Sequence, residues 1–455
     1  MSNLSQMTVA EITKQFASGN LSAVELVDSY LANIERSDTF NHAYIDVYSR
    51  EARMAAEAAD LARRSGHSLG AFHGLPFGLK DIVDVKGKIT TGGSMAWRER
   101  VSTATASFVQ RLVGSGLIIL GKTHTVEFAF GAWGTNQHLG APRNPWDRKQ
   151  HRTPGGSSSG SAVAVATRMA PWAVGSDTGG SIRIPSSFCG LTGLKTTVGV
   201  VATDNVIPLS TTLDTIGPIA RSAEDAALIF DLLRSPSERQ RSRRLLRQGS
   251  LKGLRFGMIS DVERAVVTEG VLRAYDQSLR ELEALGAEIA AVPDMPDLSV
   301  FTEMASAMLA MEGYSFKPDM IDDDSVPLDE QVRGRFRAGR KLFGGDYLAL
   351  LRERERSRAT FDKALEGFDA YLTPTTPTTA IPVSEVETTK FNPGHFTRPV
   401  NLMERCAVAV PNGMSEGLPT SLQIICAGHE DDLALDIARA FQTATQWHLA
   451  QPEGV

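Results

Sequence analysis

The sequence predicts an α/β protein with a single large mixed β-sheet sandwiched by helices. Three observations carry this expectation. Short apolar, β-prone runs occur in both halves of the chain, from LPFGLKDIV and LIIL to DAYLTPTTPTT, CAVAVP and TSLQIIC. LRFGMIS, TEGVLRAYDQSLRELEALG and AEIAAVP follow one another as a strand–helix–strand unit. No linker-like stretch divides the 455 residues, so one domain over 1–455 is expected in place of several independent ones.

Taken in order, residues 1–65 read as a helical lead. TVAEITKQFASG places a capping Thr8 before the helix and Gly19 after it, and SAVELVDSYLANIERS repeats that pattern. YSREARMAAEAADLARRS is alanine-rich with one apolar face, a good helix former. Residues 75–227 are expected to form the core of the chemistry. There LPFGLKDIV is a short strand entering a turn, SFVQRLVGSG a helix with a glycine end, and LIIL a buried strand. From 131 to 199 Gly, Ser and Thr dominate and long periodic helices vanish, as expected where backbone must approach something closely. Residues 228–370 are expected to be a more variable, substrate-side region. Residues 371–455 read as return strands and a closing amphipathic helix, DLALDIARAFQTATQWH.

Composition narrows the function. With 47 basic against 53 acidic residues the net charge is −6, which argues against a nucleic-acid surface. The Arg-rich stretch ERQRSRRLLRQ at 238–248 lacks interleaved aromatics and reads as a solvated surface segment. Cys189, Cys406 and Cys426 are too few and too scattered for a disulfide framework or a zinc site. No apolar run reaches membrane-spanning length, and MSNLSQMTVAEITKQ has no secretory pattern. A cytoplasmic protein without metal or cofactor is expected, acting on a small molecule as a monomer or homodimer.

Two motif matches are set aside. GLIILGKT, from Gly116 to Thr123, fits the phosphate-loop pattern, but Leu117 to Leu120 want to be a buried strand, not a phosphate-facing turn. GSSSG at 156–160 fits the nucleophile-elbow pattern around Ser158, but the polar KQHRTPG before it cannot be the buried strand an elbow needs. The downstream His395, His429 and His448 read as surface or helix-end residues.

Three segments remain: GLPFGLKD at 74–81, TPGGSSSGSAVAVA at 153–166 and GSDTGGSIRIPSSFCGLTGLK at 175–195. The second is a glycine–serine loop entering a small-residue helix, whose first N–H groups make a positive end. The third sets Asp177-Thr178-Gly179-Gly180 directly before Ser181, and side-chain-free glycines let successive N–H groups form an anion nest. A nest beside a hydroxyl is what acyl transfer requires. No histidine falls in these segments, but a lysine held neutral by burial can act as base. Lys80 follows the apolar run Leu75–Leu79 closely enough for that, although a surface lysine paired with Asp81 reads equally well from this segment alone.

Together, the three segments resemble those of the amidase signature family. The resemblance extends to IPLSTTLDTIGPIARSAEDAA at 207–227, DAYLTPTTP at 369–377 and the ending RPVNLMERCAVAVPNGMSEGLPTSLQI. It implies the amidase signature fold, a catalytic Lys80, a Ser157 preceded by a cis peptide, and a nucleophilic Ser181. It further implies that Lys80 takes a proton from Ser157, which draws one from Ser181, while the N–H groups of Thr178, Gly179, Gly180 and Ser181 hold the oxyanion. Asp177 and Arg183 are expected to brace the loop. Thr196 and Val200 stand in GLKTTVGVV where family members commonly carry proline and arginine, and RKQHR before TPGG is longer than usual; both bear on pocket shape.

The expected activity is that of an amidase-type serine hydrolase acting on C–N bonds other than peptide bonds. FAFGAWGTN brings Phe128, Phe130, Gly131 and Trp133 toward the site in the family arrangement, so a neutral or aromatic amide or carbamate (urethane) is the expected substrate, with ester cleavage alongside. The alternative is a glutaminase component of an amidotransferase that supplies ammonia to a partner. Such a component must hold glutamine's carboxylate, a role open to Arg335, although an exposed helix arginine is its plainer reading.

Overall fold

The computed structural model describes residues 4–240 and 250–454. Eleven strands form one mixed sheet: β1 Tyr44–Val47, β2 Pro76–Lys80, β3 Ile118–Thr123, β4 Trp172–Asp177, β5 Thr192–Lys195, β6 Thr215–Ala220, β7 Arg255–Met258, β8 Glu288–Ala291, β9 Ala370–Pro374, β10 Cys406–Ser415 and β11 Leu418–Cys426. Their spatial order is β1-β3-β2-β4-β6-β5-β10-β11-β9-β7-β8. Parallel pairs (β2 with β3 and β4, β7 with β8 and β9) sit toward the two ends, and antiparallel pairs join them through the middle. β2, β4, β5, β6, β9 and β11 are buried along their whole length, as a sheet covered on both faces requires.

The helical lead forms as its caps dictate. Thr8 and Ser22 each make a reciprocal capping box, with Glu11 and Glu25, and Gly19 closes the first helix at φ 71°. The strand–helix–strand unit is β7, the helix Glu269–Ala284 and β8, with β7 and β8 parallel. GLIILGKT is indeed strand, its lysine and threonine lying in β3. The Gly/Ser-rich stretch hides two strands that its composition does not announce, β4 and β5. Trp172, Ala173 and Val174 of β4 are wholly buried, and Trp172 stacks on Phe77 of β2 at 4.8 Å. β1 is a four-residue edge strand lying between two helices of the lead. Among the described residues no helix is long and apolar enough to cross a membrane. Of the Arg-rich stretch, residues 241–248 lie outside the described residues.

Candidate active site

Lys80 is the last residue of β2, and its parallel neighbour β4 ends at Asp177, so both strands deliver their ends to the same place. The loop Thr178–Ser181 then runs into the helix Arg183–Cys189. Ser157 precedes the helix Ser159–Ala166, whose side chains are all buried. The Gly156–Ser157 peptide is cis, as the resemblance implies. Gly156 is required by space: a Cβ there would sit 2.7 Å from the Gly134 nitrogen. Gly180 is required twice over, by φ 124° and by a Cβ that would fall 2.2 Å from Thr397 Oγ1.

The structure joins Lys80 to Ser157 and sets Ser181 in the loop beside Ser158. Lys80 is fully buried, and its Nζ donates to Ser157 Oγ and Ser176 Oγ, each at 2.7 Å. Its partners are hydroxyls. Burial pulls its pKa down to about 7, against the opposing pull of the Asp177 and Asp214 charges. The alternative pairing with Asp81 does not occur: Asp81 lies 3.4 Å from Lys122 of β3. Ser181 is 7 % exposed, and its carbonyl accepts from the Ser158 N–H at 3.1 Å, which ties the two serine loops. Ser158 itself donates to the Ser176 carbonyl at 3.2 Å, so the elbow reading has no histidine partner there.

The loop between Asp177 and Ser181 is fixed from outside. Asp177 and Arg183 are both wholly buried and paired at 2.8 Å, bracing the loop. Burial opposes the Asp177 charge, yet Arg183 holds its carboxyl well below the usual carboxylate range. Arg183 also reaches Gln423 and Asn401, each at 2.6 Å. The Asp177 carbonyl accepts from Thr215 Oγ1 at 2.7 Å and Asn401 Nδ2 at 3.1 Å, and the Gly179 carbonyl from Thr397 Oγ1 at 2.8 Å. One expectation is corrected here. The Gly180 N–H is already given to Asp177 Oδ1 at 2.8 Å, so it is not free for an oxyanion. Thr178 Oγ1 donates to Asp214 at 2.6 Å, and that carboxylate also accepts from the Leu209 and Ser210 N–H groups. Burial raises Asp214 to about 6.

A cavity of about 270 Å³ opens on Ser181 and Gly179. Phe130, Gly131 and Trp133 line it as expected. Phe128 does not: it is core, packed edge-on against Trp97 at 5.0 Å. The pocket is also not apolar throughout, because Arg335 and Arg398 line it. Arg335 is no free helix arginine; its Nη1 donates to the Phe130 carbonyl at 2.6 Å. The departures at Thr196 and Val200 and the RKQHR stretch lie away from this lining. Sequence reasoning missed Ser176, Asp214, Thr397 and Arg398. Arg398 stands in RPVNL, a segment that contributes to the resemblance, but nothing in its spacing tells that it returns to Ser181.

The Amidase family profile matches residues 25–435. The chain is 34% identical over 481 aligned positions to a glutamyl-tRNA(Gln) amidotransferase component from Symbiobacterium thermophilum, covering 98% of each. A crystal structure of an amidase superposes with a TM-score of 0.87 at 30% identity, covering 96% of this chain and 99% of that one. The peptide amidase of Stenotrophomonas maltophilia superposes at 0.83 with 27% identity, covering 97% of each. With its fold, its three segments and this family match in agreement, the chain belongs to the amidase signature family.

Proposed function

We propose that the chain hydrolyses a C–N bond of a small amide through an acyl-Ser181 intermediate. The observation that carries this is the buried Lys80, held by two hydroxyls at 2.7 Å with a pKa near neutrality. Neutral Lys80 takes the Ser157 hydroxyl proton as Ser157 takes that of Ser181. Ser181 Oγ bonds to the substrate carbonyl carbon, whose oxygen becomes the oxyanion. Gly179 and Ser181 N–H groups, with that of Thr178, are the donors for it, since Gly180 is committed to Asp177. The relay returns the proton to the leaving nitrogen, the C–N bond breaks, and water attacks the acyl carbon to release the acid and restore Ser181. An aryl carbamate offers the same carbonyl and leaving nitrogen. The test is labelling by a fluorophosphonate: Ser181 is expected to take the label, and a Ser181→Ala protein that still labelled and released ammonia would refute the assignment.

A second reading has its own support. The identity to the amidotransferase component extends over 98% of the chain, so a glutaminase working beside a partner is the competing function. It would show as glutamine hydrolysis raised by a co-purifying partner chain.

A further inference from the structure

We propose that Arg335 and Arg398 form a two-guanidinium clamp for a carboxylate carried by the amide substrate, in a pocket that rejects an ammonium beside it. The proposal rests on the reading of Ser181 as the nucleophile and adds the substrate class. Both arginines line the same cavity as Ser181. Arg335 is anchored from one side through the Phe130 carbonyl at 2.6 Å. Arg398 is anchored from the other through Ser306 Oγ at 2.9 Å. Two glycines leave room for them. A Cβ on Gly131 would lie 3.2 Å from Arg335 Nη1, and one on Gly179 would lie 3.2 Å from Arg398 Cγ and 3.9 Å from its Nε. The Arg398 side chain therefore lies against the loop that carries the oxyanion donors.

Neither guanidinium has a carboxylate within 4 Å among the described residues. Asp329, whose charge Arg335 feels, is spent at the start of Arg335's own helix, accepting from the Gln331 N–H at 3.0 Å, Val332 at 3.2 Å and Gln137 at 2.9 Å. Burial, and then the charge of Arg335, pull Arg398 down to about 10, and burial lowers Arg335 as well; a guanidinium stays cationic at neutral pH. Two like charges without a counter-ion, flanked by Phe130, Trp133, Leu209 and Leu309, are a cost that a bound anion removes. The planar fork of arginine fits a carboxylate with two parallel hydrogen bonds. Among the described residues no acidic side chain lines the cavity, so a substrate ammonium would meet two cations and no carboxylate. That separates the monoamide of a dicarboxylic acid from glutamine, which carries both charges on one carbon.

The experiment measures kcat/KM by ammonia release for the series from malonamate to adipamate. Each is set against the neutral amide of equal chain length, with glutamine set against glutaramate and asparagine against succinamate. The best anionic amide is expected to exceed its neutral counterpart by on the order of 100-fold. Glutaramate should likewise exceed glutamine. Arg335→Met and Arg398→Met should each erase most of the anionic preference through KM, with Arg398→Lys restoring part of it. Calorimetry on full-length Ser181→Ala protein should show the anionic amide binding and its neutral counterpart not. Neutral amides or glutamine used as well as the monoamides, or a preference untouched in both methionine variants, would overturn the clamp. A Ser181→Ala enzyme that still turns over with the anionic preference intact would instead overturn the nucleophile and leave the clamp standing.

Discussion

Two lysines stand at the same end of neighbouring parallel strands, Lys80 as the last residue of β2 and Lys122 as the last but one of β3, and both are wholly buried. Burial lowers the pKa of each. What differs is the company. Lys122 faces Asp81 at 3.4 Å, the Val83 carbonyl at 2.6 Å and Thr90 Oγ1 at 2.7 Å, and the Asp81 charge works to restore its ammonium form. Lys80 donates to two hydroxyls and no carboxylate. The lesson is that burial alone does not make a base: a buried lysine opposite an acid is a structural ion pair, and one opposite hydroxyls can give up its proton near neutrality.

The sharpest break of that comparison is to remove each end of the relay. Ser181→Ala is expected to abolish turnover. Lys80→Met should cost roughly 10³–10⁵ in kcat, and combining it with Ser157→Ala should add little, because the residues act as one unit. A Lys80→Met enzyme within tenfold of wild type at pH 7.5 would show that the hydroxyl-bound lysine is not the base.

Lys122→Met should behave in the opposite way, striking stability and not chemistry. It leaves the Asp81 carboxylate buried, with only its hydrogen bonds to Thr91, so about 3–5 kcal/mol of stability is expected to go. Adding Asp81→Asn should restore much of it, since the uncompensated charge is then gone. Denaturant unfolding measures both. If the single variant were as stable as wild type while losing turnover, the two lysines would have exchanged roles.

Ser176 separates the two lysines more finely, because it is the second hydroxyl on Lys80. Ser176→Ala should lower kcat about tenfold, the loss of one positioning hydrogen bond. An unchanged kcat would mean that Ser157 alone orients the amine.

The sequence showed one half of this contrast and concealed the other. LPFGLKD and DTGGS are legible because the chemistry is local: an apolar run ends in lysine, and two glycines precede a serine. Most of the sheet was legible for a similar reason, since LIIL, CAVAVP and TSLQIIC are compact apolar runs. β4 was not, because WAVGSD sits in a stretch whose glycines and serines serve the loops on either side, and its burial comes from neighbours such as Phe77. The pocket was least legible. Phe128 and Phe130 are two residues apart and the sequence treats them alike, yet Phe128 adopts φ 47° and turns into the core while Phe130 reaches the cavity. Arg398 lies 217 positions beyond Ser181, so only the folded chain can tell that the two line one cavity.

The smallest expected effect concerns pH, and it probes the charges around Lys80 directly. The active form of Lys80 is the neutral amine, so kcat/KM should fall tenfold per unit as pH drops below about 7, the value to which burial brings it. Asp177 and Asp214 both favour the ammonium form. Asp177 cannot be changed without unpairing the buried Arg183, but Asp214 can. Its carboxylate accepts from Thr178 Oγ1 and the Leu209 and Ser210 N–H groups, and Glu312 and Lys317 are the other charges that act with it. Asp214→Asn removes the charge while keeping one acceptor for Thr178, so kcat should drop by no more than about tenfold. With less negative charge nearby, the ammonium form of Lys80 is less favoured. Its pKa falls, and the acid limb of kcat/KM should move to lower pH by less than about one unit. A purely structural role for Asp214 would lower the rate at every pH and leave the midpoint where it was. A limb that moved to higher pH would mean that the group titrating there is not Lys80.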